Sequence, residues 1–171
     1  RVALKLLLGG DATDAARFLR EAQAASRFES EHVARVIDVG RTTRGAPFIV
    51  MEHLSGADLA RRLVEHGPIP SVTAVGYVLE ACEAIAEAHA LGIVHRDLKP
   101  SNLFVVSKRD GSELVKVLDF GISKVTQGLD GASASASMTG ASAVIGSAAY
   151  MSPEQLASSK HVDARTDVWS L

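Results

Sequence analysis

The chain has 171 residues, of which 47% are apolar and 22% are charged, which is ordinary for a globular protein with a sizeable core. A net charge of −2 provides no basic surface for nucleic acid or an anionic membrane. The single cysteine, Cys82, excludes an internal disulfide framework and fits a reducing cytosol, and no apolar run approaches the length that spans a bilayer.

The amino-terminal part of the chain predicts a strand followed by a helix. Residues Val2 to Leu8 are apolar with Lys5 as the single interruption, which is typical of a short strand. Asp11 or Thr13 can cap the helix that follows a pair of glycines, and Glu21 falls near its middle. Further strands are predicted over Val33–Val39 and Pro47–Met51.

The middle of the chain predicts a long helix. We expect Ser71 to be its N-cap and Gly92 to end it as a glycine just beyond the last turn. Apolar residues recur at helical spacing and predict its buried side, namely Val72, Val75, Val78, Leu79, Cys82, Ile85, Ala86 and His89.

Two short strands and a long loop complete the prediction. The strands run over Leu103–Val106 and Leu114–Leu118, so Asn102 and Asp119 should lie at neighbouring strand ends and face one cleft. From Gly128 to Gly146 the chain is rich in Gly, Ala and Ser, and we interpret that segment as a mobile loop.

The most informative motif is the run His-Arg-Asp-Leu-Lys-Pro-Ser-Asn at residues 95–102, followed by Asp-Phe-Gly at residues 119–121. Carboxylate and amide oxygens in this order suit Mg²⁺ held against phosphates. Any one of these side chains taken alone is more often a turn cap, and Lys5 with Glu21 taken alone is at best a weak surface pair. The two motifs in this order match a protein-kinase signature.

The chain therefore resembles serine/threonine protein kinases, and among them the bacterial, eukaryotic-like branch. Val-Ala-Leu-Lys at residues 2–5 resembles the third strand of the small lobe, and residues 49–54 resemble the fifth strand entering the hinge. Tyr-Met-Ser-Pro-Glu at residues 150–154 resembles the A-P-E motif with Ser in place of Ala, and residues 167–171 resemble the start of the F-helix.

The resemblance implies an α+β, two-lobed protein-kinase-like fold that is truncated at both ends. The whole of residues 1–171 would be a partial kinase domain, lacking the glycine-rich loop and the last large-lobe helices. Within it, residues 1–51 would be the remnant of the small lobe, 52–58 the hinge and 59–171 the large lobe. The activation segment would cover residues 119–154.

The same resemblance assigns catalytic roles. Lys5 would contact the α- and β-phosphates of ATP, held in place by Glu21. Asp97 would be the base that accepts the proton of a substrate hydroxyl, and Lys99 would neutralise the γ-phosphate. Lys99 also favours serine/threonine over tyrosine kinases. The metal ligands would be Asn102 and Asp119, holding Mg²⁺, with Mn²⁺ as a substitute.

Six residues are expected around the adenosine. The adenine would lie between Ala3 and Phe104, with Met51 as the gatekeeper at the back of the pocket, although plain core packing explains these three equally well. The backbone of Glu52 and Leu54 would hydrogen-bond the adenine edge. Asp58 would reach a ribose hydroxyl.

Two other expectations concern His95 and regulation. We favour a structural role for His95, packed under Phe120 and anchored to Asp167. Arg96 would hold a phosphorylated activation loop, Thr139 would be the phosphosite, and Ser147 would shape the acceptor pocket in place of a threonine. The remaining serines of that loop are best read as solubilising spacer.

The expected function is ATP-dependent phosphorylation of serine and threonine hydroxyls on protein substrates, with autophosphorylation of the activation loop between the two copies of a dimer. The alternative is a pseudokinase that binds nucleotide as a scaffold, or an inactive fragment. Aminoglycoside-type small-molecule kinases are a more distant alternative, because they lack the Arg-Asp-Leu-Lys-Pro run. We expect a cytoplasmic kinase domain without nucleic-acid partners, in a protein that can be membrane-anchored downstream.

Overall fold

The computed structural model describes residues 1–9, 11–120, 148–157 and 162–171, without the side chains of Arg17 and Glu21. The described elements form two three-stranded antiparallel sheets and the helices packed against them. This agrees with the α+β architecture expected from the sequence. In the described part of the chain, no helix combines the length and the apolar character needed to cross a membrane.

The first sheet comprises β1 (Val2–Leu6), β2 (Val36–Arg41) and β3 (Pro47–Glu52), with β3 in the centre. Side chains alternate in exposure along β1, because successive residues of a strand point to opposite faces. Lys5 therefore lies on the half-buried face of β1, opposite Ile49 in the register with β3.

Helix α1 (Ala12–Ala25) packs on this sheet. Its first turn is closed by a capping box, in which the Asp11 carboxylate accepts from the backbone of Thr13 and Asp14 and the Asp14 carboxylate accepts from the backbone of Asp11. The predicted cap at Asp11 is thus confirmed. A small core of Phe18 and Ala22 on the helix and Ile49 on the sheet joins the two layers.

The second sheet comprises β4 (Gly56–Asp58), β5 (Leu103–Ser107) and β6 (Glu113–Val117), with β5 in the centre. It is accompanied by α2 (Leu59–His66), α3 (Ser71–Ala90) and a 3₁₀ turn over Pro100–Asn102. Two short helices complete the described chain, α4 (Pro153–Ala157) and α5 (Arg165–Ser170).

The main core lies between α3 and the second sheet, and of the residues on the predicted side of α3 only Ile85 is among the buried ones. The buried residues of this helix are Tyr77, Ala81, Ala84, Ile85 and Ala88. The predicted Val72, Val75 and Leu79 are instead 85%, 58% and 61% exposed. Because three of the buried residues are alanines, the helix backbone can approach β6 closely, so the smallest side chains rather than the most hydrophobic ones face the sheet.

The ends of α3 give one wrong and one confirmed prediction. The residue that precedes the helix is Pro70, and Ser71 is its first residue, with no side-chain cap. The extended backbone of Pro70 occupies the N-cap position, so Ser71 falls in the first turn, where its side chain makes no capping hydrogen bond. Gly92 ends the helix at a φ of 73°, the left-handed conformation that glycine adopts readily.

The segment after α1 joins the two sheets. Val33 pairs with Val117 of β6 in a parallel bridge, and the Glu87 carboxylate on α3 accepts from the backbone N–H groups of Glu29 and Ser30 at 2.7 and 3.0 Å. These contacts satisfy backbone donors that no strand or helix would satisfy. The first sheet and α1 are therefore held on the second sheet at the end of β6.

Gly56, at the start of β4, has a backbone that only glycine fits. Its φ is 148°, and a Cβ built on it would lie 2.0 Å from the carbonyl oxygen of Val105. We expect Gly56→Ala to lower the free energy of unfolding by about 1–3 kcal/mol because the clash forces the backbone to shift. Denaturant unfolding measures the change.

Gly76→Ala is the matched control, since Gly76 lies inside α3 with nothing within 4 Å of its added Cβ. The same substitution should there raise stability by about 0.5–1 kcal/mol, because alanine favours a helix interior. Equal effects at the two positions would contradict the steric explanation.

Candidate functional site

The motif at residues 95–102 forms the loop between α3 and β5 and ends in the 3₁₀ turn. Asn102 is buried, and its Nδ2 donates to the backbone carbonyl of Asp97 at 2.8 Å and to Asp97 Oδ2 at 3.3 Å. Lys99 Nζ lies 3.1 Å from the same Oδ2. Because both of these contacts use the Asn102 amide nitrogen, its Oδ1 remains oriented as an acceptor.

Asp119 follows β6, next to this loop. The backbone N–H of Leu118 donates to the carbonyl of Asn102 at 2.9 Å, which brings the two strand ends together as the sequence predicts. Asp119 has a φ of 51°, an unusual value for a residue with a side chain, and such conformations cluster at functional sites.

Lys5 reaches this point from the first sheet. Its Nζ donates to Asp119 Oδ1 at 2.5 Å, so the ammonium from β1 and the carboxylate after β6 meet across the two sheets. Glu21 lies in α1, and its side chain is outside the described residues. The pairing of Lys5 with Glu21 therefore stays a prediction, and the structure gives Lys5 a different acidic partner.

His95 is a structural residue of this loop, as expected. Its ring is fully buried and lies 4.8 Å from that of Phe120. Nε2 lies 3.0 Å from the Leu118 carbonyl and Nδ1 accepts from the Asp97 backbone N–H at 3.2 Å. These partners require a neutral imidazole with its proton on Nε2. Burial lowers the pKa of His95, and the Leu118 carbonyl and nearby carboxylates oppose that shift.

This lowered pKa predicts that the protein loses stability in acid. The native state holds His95 neutral, whereas an unfolded histidine binds a proton below about pH 6.5. The unfolded state therefore gains stability as the pH falls from about 6.5 towards the lower pKa of the folded state. Free energies of unfolding measured between about pH 8 and pH 5 should decrease accordingly.

A His95→Gln variant should show a shallower decrease over the same range, because it lacks the histidine that takes up a proton on unfolding. The slope of the free energy of unfolding against pH should fall by the contribution of at most one proton. His66→Gln is the matched control, because His66 is exposed at the end of α2 and should leave the slope as it is. Identical slopes for all three proteins would exclude His95 as the source.

Asp167 on α5 holds the start of the loop at residues 95–102 in place. Its buried carboxylate accepts from the backbone N–H of His95 at 2.8 Å, from the backbone N–H of Arg96 at 2.7 Å and from His89 Nε2 at 2.8 Å. The sequence predicts the contact between His95 and Asp167. It does not predict the contact of His89 with Asp167, because the helical pattern places His89 on the apolar side of α3. A histidine near the end of a helix is the only signal for that second contact.

A cavity of about 330 Å³ opens beside these residues, between the first sheet, α1 and the end of β6. Lys5, Asp119, Phe120 and Met51 lie among its lining residues, so the predicted gatekeeper and Lys5 line the same cavity. Ala3 pairs with Met51 in the sheet register, but it is not among the described lining residues of this cavity.

The other residues predicted around the adenosine lie along the connection between the sheets. Leu54 is half-buried between β3 and β4, and Phe104 of β5 faces Asp58 of β4 in the register. The Asp58 carboxylate accepts from the Arg61 backbone N–H at 2.9 Å and so caps α2. Its role at a ribose stays a prediction beside this structural one.

Glu52 shows a contact that the sequence analysis missed. Its carboxylate pairs with Lys116 Nζ at 2.7 Å and accepts from the Arg35 backbone N–H at 2.8 Å. Lys116 also donates to the carbonyls of Glu31 and Val33 at 2.7 and 3.2 Å. The signal in the sequence is Lys116, a single charged residue inside the apolar strand Leu114–Leu118. A charged side chain that is buried in such a strand needs partners.

The predicted regulatory residues are only partly described. Arg96 has a φ of 64°, and its guanidinium donates to the Val162 carbonyl at 3.4 Å. Thr139 and Ser147 lie outside the described residues, as does the loop from Gly128 to Gly146. Their predicted roles remain predictions.

The donor set fits a divalent metal bound together with phosphates. Among the described residues, no three His, Cys, Asp or Glu side chains come close enough to hold a metal alone. Mg²⁺ is usually bound through one or two protein oxygens and completed by water and substrate phosphates. The oriented Oδ1 of Asn102 and the Asp119 carboxylate match that requirement.

Comparisons with known proteins point in one direction. The model of the protein kinase domain family matches residues 1–171. Serine/threonine-protein kinase pkn3 of Myxococcus xanthus is 41% identical, over 99% of this chain and 31% of that protein. Serine/threonine-protein kinase PknB of Mycobacterium leprae is 40% identical, over 99% of this chain and 26% of that protein.

A solved structure shows the same similarity. The crystal structure of the PknI kinase domain of Mycobacterium tuberculosis superimposes with a TM-score of 0.70 at 27% identity, covering 99% of this chain and 59% of that one. The present chain thus spans less than a third of the length of the two curated relatives.

Proposed function

Because the chain belongs to the protein kinase family and its relatives include bacterial serine/threonine kinases, we propose that it transfers phosphate from ATP to serine and threonine hydroxyls of proteins. We assign residues 1–51 to the small lobe, 52–58 to the hinge and 59–171 to the large lobe, with the activation segment at 119–154.

One chain of contacts carries the proposal. Lys5 bonds Asp119 at 2.5 Å, the neighbouring Leu118 bonds Asn102 at 2.9 Å, and Asn102 bonds Asp97 at 2.8 Å. Successive contacts thereby link an ammonium, two potential metal ligands and a potential carboxylate base, although Lys5 lies 114 residues from Asp119 in the sequence. Phosphoryl transfer needs this kind of positioning and charge stabilisation more than it needs covalent chemistry.

We assign the proton acceptor to Asp97. Its backbone N–H and its carboxylate are both engaged within the loop, so the side chain has a defined direction. Lys99, 3.1 Å from that carboxylate, supplies a positive charge where a phosphate would approach the acceptor hydroxyl. Asp97 would orient the hydroxyl and take its proton as the transfer proceeds.

Asn102 and Asp119 would hold the metal, and Lys5 the α- and β-phosphates, with Glu21 as its expected partner on α1. Bound Mg²⁺ neutralises the charge of the phosphates and orients them for transfer. The contact between Lys5 and Asp119 is compatible with this, because the ammonium would be attracted to the phosphates and the carboxylate to the metal ion that those phosphates bind. The adenine would rest between Ala3 and Phe104 with Met51 behind it, bonded by the backbone of Glu52 and Leu54.

The experiment is a phosphate-transfer assay on the full-length protein, with ATP, Mg²⁺ and protein acceptors, followed by identification of the phosphorylated amino acids. We expect phosphoserine and phosphothreonine, and a strong loss of transfer in both Lys5→Met and Asp97→Asn. Equal transfer by all three proteins, or phosphotyrosine as the main product, would refute the proposal.

We also propose autophosphorylation of the activation segment, with Thr139 as the site, Arg96 as the residue that holds the phosphate and Ser147 beside the acceptor pocket. It would occur between two copies of the protein in the cytoplasm, where ATP is available. Mapping of phosphosites after incubation with ATP and Mg²⁺ tests it, and an active enzyme whose loop stays unmodified would rule it out.

A further inference from the structure

Gln155 on α4 makes contacts that neither the motif nor the proposed chemistry explains. Its Nε2 donates to the backbone carbonyl of Arg96 at 2.8 Å, and its Oε1 accepts from the backbone N–H of Ser152 at 3.1 Å. Both ends of one amide are thus used, which leaves the half-buried side chain a single useful orientation.

Ser152 connects Gln155 to α5. It is fully buried, its Oγ lies 2.6 Å from the Oγ1 of buried Thr166, and it accepts from the Gln155 backbone N–H at 3.3 Å. A buried hydroxyl has to be hydrogen-bonded, and Thr166 provides the partner. This explains the serine that replaces alanine in the A-P-E motif. It also gives Gln155 a rigid support.

The Arg96 carbonyl, which accepts the hydrogen bond from Gln155, belongs to the peptide group that joins Arg96 to Asp97. The Asp97 nitrogen of this peptide group donates to His95 Nδ1 at 3.2 Å. Since a peptide group is planar, Gln155 at the oxygen and His95 at the nitrogen together determine its orientation. Arg96 itself has a φ of 64°, a conformation that persists only where neighbouring contacts hold it.

We propose that Gln155 is a positioning residue for the base: by bonding the Arg96 carbonyl, it sets the peptide plane from which the Asp97 side chain projects. This inference rests on the proposed function, in which Asp97 accepts the hydroxyl proton. It extends the catalytic machinery to α4 and links the base to α5 through Ser152 and Thr166. Small errors in the position of a catalytic group reduce rates strongly.

Two substitutions separate the two hydrogen bonds. Gln155→Leu removes both, whereas Gln155→Glu retains an acceptor for the Ser152 N–H and turns an oxygen towards the Arg96 carbonyl. We expect each to lower kcat about 10-fold with little change in KM for ATP, because only the reacting geometry is disturbed. Gln23→Leu on the exposed side of α1 is the matched control and should leave kcat unchanged.

The decisive measurement repeats Gln155→Glu in an Asp97→Asn background in the full-length protein. A residue that acts through the base should have little further effect once the base is gone, whereas a residue that only holds α4 in place should cost as much again. Hydrogen exchange of the Asp97 amide gives a second readout that needs no activity, and we expect faster exchange in both Gln155 variants.

The outcomes separate this inference from the proposed function. Absence of phosphate transfer by the unchanged protein refutes the function. Normal transfer by that protein together with unchanged kcat and unchanged amide exchange in both Gln155 variants refutes only the inference. An undiminished loss in the Asp97→Asn background would also overturn it. If Gln155→Leu does not fold, Gln155→Glu gives the result alone, since it preserves the hydrogen bond from the backbone N–H of Ser152, just before α4.

Discussion

Replacing Asp97 by asparagine is expected to lower the rate of phosphate transfer by about 10²–10⁴-fold, the contribution of a positioned acid or base. The amide has the shape of the carboxylate, and Asn102 can still donate to the backbone carbonyl of residue 97, so the metal ligand should remain oriented. The amide cannot accept the proton of the substrate hydroxyl. The loss should therefore appear in kcat, with KM for ATP close to its original value.

Steady-state kinetics with saturating acceptor protein measure both quantities. Asp110→Asn is the matched control, because Asp110 is exposed in the turn between β5 and β6, where it accepts hydrogen bonds from nearby Ser112. That variant should retain full activity. A normal kcat in Asp97→Asn would show that the base lies elsewhere, and a loss confined to KM would indicate a role in substrate binding.

Replacing Asp167 by alanine is expected to destabilise the protein by on the order of 3 kcal/mol and to reduce activity as well. The substitution leaves the buried backbone N–H groups of His95 and Arg96 without their acceptor, together with the ring of His89. Unsatisfied buried donors cost about 1–3 kcal/mol each, which is why the loss should exceed that of an ordinary surface substitution.

Denaturant unfolding gives the free energy, and the same preparations give the rate of transfer. Asp163→Ala is the matched control, since Asp163 is exposed just before α5 and pairs there with exposed Arg165. It should change neither quantity appreciably. An Asp167→Ala variant with unchanged stability would mean that the loop is held by its other contacts, those of His95 with Leu118 and of Gln155 with Arg96.

The sequence alone predicted the fold class and the family correctly, because both depend on local patterns. The strand around Lys5, the cap at Asp11 and the glycine at position 92 are each determined by neighbouring residues. The motif at residues 95–102 followed by Asp119 depends on order and spacing, which a sequence preserves in full. Asn102 directly precedes one predicted strand and Asp119 directly follows the next. This sufficed to predict that the two residues lie together.

The orientation of α3 shows where local patterns fail. Its valines and leucine repeat at helical spacing, yet three of the five buried residues are alanines, and these small side chains allow the helix to pack closely against β6. Periodicity measures how hydrophobic a side is. It does not show how near the opposing element comes, and this distance decides which side chains fit.

The sequence by itself thus determined which chemical groups are present and in what order the elements carry them. Only the tertiary structure decided which groups meet: Lys5 with Asp119, Asp167 with the ring of His89, and Gln155 with the peptide group before the base. Such partners are separated by 59 to 114 residues, so no local periodicity records them. They arise when packed layers bring buried polar groups together, each of which must then find a partner.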